Sequence, residues 1–204
     1  MKRLIATLCL ILLTGTAIFA QNENTPEKNS NDEYEFYYNN PGDKNIKISI
    51  ALDFPLNFPD FTSLFNKNKK LGVGGAICLG YNYFITKTVS VGGQIGFGYN
   101  PTIGEHTFNY VPFLACVNYT PAYQRIEFPI SLKVGFAWET YSNHNYFPGL
   151  VINPSVGAAY KITDGWSVGL DFEYMALPQF SWENEVENFC GQFVNIVASA
   201  RYYF

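Results

Sequence analysis

The sequence has few charged residues, only two histidines and four cysteines, and these shortages exclude several classes of protein. Charged residues make up 15% of the 204 residues, and the formal net charge is −4. A mildly acidic chain without clustered cations is a poor binder of nucleic acid. The sequence also contains no metal-ligand spacing, phosphate-binding loop or nucleophile elbow. It therefore predicts no metal, no cofactor and no enzymatic activity.

Long apolar runs are missing too, except for residues 4–20, which follow two cations. A cationic start, a short apolar core and a small residue at its end are typical of a secretory signal peptide. We predict a signal peptide over residues 1–20, cleaved after Ala20, with cleavage after Ala17 as the alternative. A membrane-spanning helix is the other interpretation, but the run is shorter than the ~20 apolar residues that a span needs. Without residues 1–20, the chain contains 11 Lys and Arg and 17 Asp and Glu.

Residues 21–44 are rich in Asn, Glu, Pro and Lys and have no usable periodicity, which predicts a flexible leader. Beyond the signal peptide the cysteines are Cys78, Cys116 and Cys190, an odd number that is not a disulfide framework. Cys78 and Cys116 fall on predicted strands that are not neighbours, on the order of 10 Å apart, which is beyond bridging range. We predict that all three are unbonded.

From residue 45 to the terminal Phe204, apolar residues alternate with small or polar ones. In the first predicted strand one face carries Ile46, Ile48, Ile50, Leu52 and Phe54, and the other carries Lys47, Ser49, Ala51 and Asp53. Seven more strands are predicted at 71–85, 89–99, 107–119, 128–139, 149–162, 166–174 and 192–204. A period of two is typical of strands whose two faces meet different surroundings. Leu71 is predicted to face outward with Val73, and Pro112 predicts a bulge because it removes a ladder donor.

The connections between the predicted strands alternate in length. The second, fourth and sixth are short turns at 86–88, 120–125 and 163–165, and the others are longer. Eight strands with this alternation predict an all-β fold, an eight-stranded antiparallel up-and-down transmembrane barrel over residues 45–204. The face of Gly, Ala, Ser and scattered charges fits the narrow lumen of eight strands, whereas the face of Ile, Leu, Val and Phe does not. A soluble barrel with an apolar interior is the alternative.

The last strand supports the membrane interpretation, because a firm final strand can pair with the first and close the sheet. With the signal peptide, the eight strands and the end Ala200-Arg201-Tyr202-Tyr203-Phe204, the chain resembles the small eight-stranded outer-membrane barrels of diderm bacteria, the OmpX/OmpW-like proteins and their spirochaete relatives. The resemblance implies export across the inner membrane and a place among outer-membrane lipids. It also implies that Tyr202 and Phe204 belong to the signal read by the barrel-assembly machinery. We expect a monomer.

The charged residues of the inward face are the first candidate site. They are Lys47, Lys133, Glu139, Lys161, Asp171, Glu173 and Arg201. Lys133 and Glu173 are predicted at similar depth, and Asp171 is predicted near Arg201 with Lys161 close by. These groups should pair, because an unpaired buried charge costs several kcal/mol. A structural network that fills the lumen and a proton or ion path are both open interpretations.

Apolar residues in the first and last outer loops are the second candidate site. They are Phe58, Phe61, Leu64, Phe65, Phe180 and Trp182, and Leu177 is assigned to the last loop as well. These residues either fold over the barrel mouth or form an entrance for a small hydrophobic ligand. His106 and His144 are both predicted in outer loops and belong to no recognisable catalytic motif.

These observations predict a non-enzymatic outer-membrane barrel that is structural or handles small hydrophobic solutes at the cell surface. A surface adhesin that acts through its outer loops is one alternative. A lipid-modifying barrel enzyme is the other, and it would depend on the two histidines. The resemblance does not choose between them, because proteins of one fold share architecture more than functional residues.

Overall fold

The computed structural model describes residues 39–56, 71–101, 107–141, 144–179 and 189–204. These residues form ten strands in chain order: β1 Lys44–Pro55, β2 Gly74–Phe84, β3 Val89–Pro101, β4 Thr107–Tyr119, β5 Ala122–Tyr123, β6 Ile126–Glu127, β7 Ile130–Tyr141, β8 His144–Thr163, β9 Trp166–Gln179 and β10 Phe189–Tyr203. Eight of them are long, and β5 and β6 have two residues each. Within the described residues, no helix has the length and hydrophobicity needed to cross a membrane.

The eight long strands close into an antiparallel barrel. Each pairs with the next along the chain, and β8 pairs with both β7 and β9. The first and last strands complete the ring, with a register that runs from Asn45 opposite Tyr203 to Pro55 opposite Phe193. The prediction that the last strand closes the sheet on the first is therefore confirmed. Closure matters because it pairs the first and last strands, which would otherwise be the edges of an open sheet.

The outer face of the barrel is apolar, as the alternation predicted. Ile50, Ile77 and Leu170 are each more than 60% exposed, while their sequence neighbours point inward. Tyr81, Tyr160, Trp166, Tyr202 and Phe204 are exposed near the end with short connections, called the base below. Tyr99 and Trp138 are exposed toward the opposite end, called the loop end. An apolar band with aromatic residues at both margins is the surface of a barrel that sits in lipid.

The connection between β4 and β7 is a small hairpin rather than the simple turn predicted at 120–125. Strand β5 pairs with β6, and β6 pairs with the end of β8. At its tip Gln124 has a φ of 55°. The hairpin continues the alternation, so Ile126 and Phe128 are exposed while Glu127 is buried. Glu127 thereby enters the base of the lumen.

Three expectations about the strands were wrong. Leu71 precedes β2 and packs against the buried apolar cluster of the lumen rather than facing outward. Pro112 interrupts the β3–β4 ladder for two pairs, but the register is the same on both sides, so it makes no bulge. Register shifts lie instead between β7 and β8, at Ala137 and Glu139, and between β8 and β9, at Lys161 and Thr163. His144 and Leu177, which were assigned to outer loops, lie in β8 and β9.

The outer end of the barrel is paired unevenly around its circumference. The ladder between β8 and β9 ends at Ile152 and Ala176, and it skips two pairs around Pro154. Toward the loop end, β8 continues to His144 with pairs on β7, and β9 continues to Gln179 with pairs on β10. Among the described residues, the outer parts of β8 and β9 are therefore not joined to each other.

Candidate functional site in the barrel lumen

A buried carboxylate with two cations lies in the middle of the lumen. The Lys47 ammonium contacts Asp171 Oδ2 at 2.7 Å, and Arg201 Nη2 donates to Oδ1 and Oδ2 at 3.1 and 3.2 Å. The hydroxyl of Ser199 donates to the same carboxylate at 3.2 Å. Gly157 is opposite Asp171 on β8, and a Cβ there would collide with the carboxylate. The predicted contact of Asp171 with Arg201 is present, and Lys47 joins it.

A second ion pair lies one step closer to the loop end. Lys133 on β7 contacts Glu173 Oε1 at 2.5 Å, and the Asn153 amide donates to Oε2 at 3.1 Å. Lys133 is 2% exposed and Glu173 5% exposed, so water does not screen the pair. These two residues were predicted at the same depth on strands that are not sequential neighbours. Together with the Asp171 cluster, this pair forms the middle layer of the lumen.

The base of the lumen holds a separate polar cluster around Glu127. Lys161 contacts Glu127 Oε1 at 3.3 Å, and the Tyr203 hydroxyl donates to Oε2 at 2.8 Å. Asn39 accepts a hydrogen bond from Lys161 at 2.9 Å and donates one to Glu127 at 3.4 Å. The prediction placed Lys161 close to Asp171 and Arg201. The register does set Lys161 and Arg201 opposite the same residue, Ser167, but the carboxylate that Lys161 contacts is Glu127. The register places Lys161 opposite Ser167, two steps along β9 from the level of Asp171, where Glu127 from the hairpin meets it.

Asn39 comes from the segment predicted as a flexible leader at 21–44, of which the structure describes 39–44. Its side chain is 4% exposed and lies inside the base cluster. The chain then turns before it enters β1. In this turn the Gly42 amide donates to the Phe84 carbonyl at 2.9 Å. The buried contacts of Asn39 had no signal in the sequence, because its partners come from distant strands.

The lumen near the loop end is filled mainly by apolar side chains. Phe108, Tyr110 and Phe193 form a cluster of three rings, with centroids 5.7 to 6.2 Å apart. The buried residues that pack with them include Leu114, Val151, Met175 and Leu177. The sequence carried a weak signal for this layer, since both faces of the fourth predicted strand are partly apolar.

A buried carboxylate lies within this apolar layer. The Tyr110 hydroxyl donates to Asp53 Oδ2 at 2.5 Å. The Asn195 amide, oriented with its nitrogen toward Asp53, donates to Oδ1 at 3.3 Å. Asp53 is completely buried. Glu139, predicted as part of the ion-pair network, lies opposite Tyr110 on β7 with its carboxylate against Gly149. It therefore belongs to this outer layer and not to the middle one.

The residues predicted as an assembly signal lie at the base, where the barrel closes. The amide and carbonyl of Phe204 both pair with Lys44, at 3.0 Å each. The Tyr202 ring packs between Trp166 and Phe204, with centroid distances of 4.9 and 5.9 Å. Phe204 therefore extends the closing ladder by one residue, and its ring continues the exposed aromatic margin.

Two other predicted sites include residues outside the part of the chain that the structure describes. The apolar entrance was assigned to Phe58, Phe61, Leu64, Phe65, Phe180 and Trp182, all of which lie outside the described residues. His106 lies outside them as well. Cys78, Cys116 and Cys190 are free, as predicted. The described part of the chain contains no cluster of His, Cys, Asp and Glu that could hold a metal ion.

The closed ring of eight long strands, the apolar exterior and an interior that is polar in its base and middle layers define a small barrel of the outer-membrane type. A family model matches residues 23–202, and the chain belongs to that family. Two relatives are uncharacterised proteins of Treponema pallidum (strain Nichols). One is 37% identical over 138 residues, which is 63% of each chain, and the other is 25% identical over 122 residues, which is 56% of this chain and 42% of the relative. The chain thus matches less than two thirds of the length of either relative.

Solved structures of the same fold come from other bacteria. Neisserial surface protein A has a TM-score of 0.58, and Ail, the attachment invasion locus protein of Yersinia pestis, has a TM-score of 0.53. Each is 13% identical, and each alignment covers 80% of this chain and 99% of the other. At this level of identity the likeness shows a shared fold alone. The resemblance to small eight-stranded outer-membrane barrels is thereby confirmed.

Proposed function

We propose that this protein is a non-enzymatic barrel of the outer membrane whose filled lumen does not conduct solutes. The observation that carries the proposal is the stack of three occupied layers. The base layer holds Glu127 with Lys161, the middle layer holds three ion pairs, and the outer layer holds the three-ring cluster. An eight-stranded barrel has an interior only wide enough for side chains to fill. Such a barrel serves the envelope through its stability or through what its loop end presents.

The location and partners follow from the same proposal. The apolar band of the exterior supports insertion among outer-membrane lipids, with the base on the periplasmic side. A signal peptide at 1–20 and the barrel-assembly machinery would bring the chain there, and a barrel that closes on its own first and last strands would act as a monomer. Membrane fractionation and detection of the mature amino terminus by mass spectrometry test this part. Recovery of the protein in the inner membrane would contradict it.

The closed-lumen proposal is tested by electrical recording across planar lipid bilayers. The purified, refolded protein should give no stepwise conductance, while a large porin in the same preparation gives its usual steps. A matched variant with Lys47, Asp171 and Arg201 all replaced by Ser removes this cluster and leaves the Lys133–Glu173 pair of the middle layer in place. Stable conductance steps from the unmodified protein would overturn the proposal.

A second candidate function, handling of small hydrophobic solutes, is favoured by the missing pairing between the outer parts of β8 and β9. Val151 on β8 and Met175 and Leu177 on β9 are buried, inward-facing and apolar beside this seam. An apolar molecule that reached the outer layer could pass between these strands into lipid without crossing the charged middle layer. The exterior beside the ladder is apolar as well, so the molecule would contact apolar side chains along the whole path.

Cross-linking tests this candidate directly. In a background with the three barrel cysteines replaced by Ser, a disulfide between Leu150→Cys and Pro178→Cys would join β8 to β9 beyond the last pair. Binding or transfer of an apolar fluorescent probe should stop in the oxidised variant and return after reduction. The matched control is Val156→Cys with Phe172→Cys, which lie opposite each other where the ladder is intact. Equal transfer in all forms would remove the candidate.

Interaction with a partner at the cell surface remains a hypothesis. One structure of the same fold is that of Ail in complex with the heparin analogue sucrose octasulfate, and this binding is a property of Ail. Strand β8 has 20 residues, whereas about 9–11 residues of a tilted strand cross a bilayer, so the sheet reaches beyond the lipid on that side. Replacing residues 141–144 by a Gly-Ser turn should abolish partner binding if the part of the sheet beyond the lipid forms the binding site.

A further inference from the structure

We infer that the inner half of the lumen binds one small inorganic anion, held between Lys47, Arg201 and the uncharged wall formed by β2, β3 and β4. This inference does not depend on the proposed function. It begins with the charges around Asp171, where two cations share one carboxylate. Lys47 and Arg201 contact no other carboxylate among the described residues. The second carboxylate of the middle layer, Glu173, is already bound by Lys133 and Asn153.

The second observation is a buried donor group without a partner. Arg201 is 5% exposed, and its Nη1 has no hydrogen-bond partner within the described part of the chain. Its other terminal nitrogen, Nη2, spans both oxygens of Asp171. A buried guanidinium nitrogen left without an acceptor costs free energy, more than a neutral donor does. An anion beside Nη1 would accept that hydrogen bond and offset the extra positive charge.

The third observation is the partial exposure of the side chains on the side of the lumen opposite these cations. Lys47, Cys78, Asn82, Gln94 and Asn118 all point inward, yet each is partly exposed. Because their strand neighbours face the exterior, the surface that these side chains leave open faces the lumen. Gly80 is opposite Lys47, and a Cβ there would already contact the Cβ atoms of Lys47 and Gln94 at 3.7 and 3.9 Å, so a larger side chain would extend into this part of the lumen.

The wall around this space suits an anion better than a cation. Strands β2, β3 and β4 contain no charged residue at all, so no carboxylate approaches from that side. The nearest carboxylates elsewhere are occupied. Glu127 is held by Lys161, Tyr203 and Asn39, and Asp53 accepts from Tyr110 one layer further out. Within the wall, Asn118 donates to Asn82 and Ser90, and Asn82 donates to Asn45, so the wall is held together by its own amides and presents polar, uncharged groups to an anion.

The proposal is tested first by crystallography of the refolded protein soaked in sodium bromide. An anomalous peak in contact with Arg201 Nη1 and on the lumen side of Lys47 is expected. A peak that appears only at molar bromide, with no anion-dependent rise in the thermal unfolding midpoint, would mean an adventitious ion only and would overturn the proposal. Water alone at this position would overturn it as well.

The second test is the thermal unfolding midpoint in detergent, read from the loss of the compact electrophoretic form. In wild type the midpoint should rise with chloride or bromide concentration relative to sodium gluconate at equal ionic strength, because a ligand that binds only the folded state stabilises it. Lys47→Met should lose this difference. Lys161→Met is the matched control, since its partner is Glu127 at the base, and it should keep the difference. If Lys47→Met does not refold, the bromide soak of wild type decides. An anion effect that persists in Lys47→Met would refute the site.

Discussion

Lys47 and Arg201 lie directly opposite each other across the seam where β1 and β10 close the barrel, and both contact the Asp171 carboxylate of β9. Two cations side by side in a buried layer repel each other unless an anion lies between them. Asp171 therefore supports the closure of the barrel from a third strand. The residue couples the seam to the neighbouring ladder, which runs from Tyr202 opposite Trp166 toward the loop end.

Replacing Asp171 by Asn should destabilise the barrel by about 3–5 kcal/mol, because it leaves two buried cations without their carboxylate. Urea unfolding in detergent, followed by tryptophan fluorescence, measures the change in the free energy of unfolding. Asp164→Asn is the control, since Asp164 is exposed in the turn between β8 and β9 and should not matter. Equal stabilities for Asp171→Asn and wild type would show that the cations do not need this partner.

Replacing Gly98 by Ala should destabilise the protein by about 1–3 kcal/mol, because the new methyl group would overlap the ring of Tyr110. Gly93 lies on the same strand but faces outward, where a Cβ would meet only the Leu114 carbonyl at 3.6 Å. Gly93→Ala is therefore the matched control and should be neutral within error. The same unfolding measurement compares the two, and the prediction fails if both variants behave alike.

Replacing Asn39 by Ala should lower the free energy of unfolding by about 1–3 kcal/mol, since Glu127 and Lys161 each lose a buried hydrogen bond. The exposed neighbour Asn40 is the control, because its contacts with Asp43 are made by its backbone amide and carbonyl. Removal of residues 21–38 with Asn39 retained should leave stability unchanged. Chemical denaturation of the three variants measures this, and a loss caused by the truncation alone would contradict it.

Deleting Phe204 should reduce assembly more than it reduces the stability of protein that has already folded. The deletion removes the two backbone hydrogen bonds with Lys44 at the end of the closing ladder and the last ring of the aromatic margin. The amount of the heat-modifiable form in outer-membrane fractions is the measurement. Phe172→Ala removes an exposed ring in mid-strand and should leave that amount near wild type. Normal levels for the deletion would count against an assembly role.

The sequence predicted the architecture well because its signal is local. Alternation with a period of two assigns each residue of a strand to one face without any knowledge of its neighbours, so Ile50 and Leu170 could be placed outside and Lys133 and Asp171 inside. The same rule failed where the backbone leaves the regular pattern, as at Leu71 before β2 and in the hairpin that carries Glu127. The count of eight strands survived because short turns such as 86–88 have their own residue signals.

Partners within the lumen depended on the register between strands, which alternation does not specify. Lys133 and Glu173 were matched by depth. Glu127, the carboxylate that Lys161 contacts, was missed because it falls between the predicted turn at 120–125 and the predicted strand at 128–139. Asn39, Tyr110 and Phe193 have no sequence pattern that foretells their contacts, because those contacts join residues far apart in the chain. The sequence by itself determined a lipid-facing barrel and its closing strand, since both follow from hydrophobicity at alternate positions. Only the tertiary structure decided how the charges pair, because strand tilt and stagger bring distant residues to one level of the lumen.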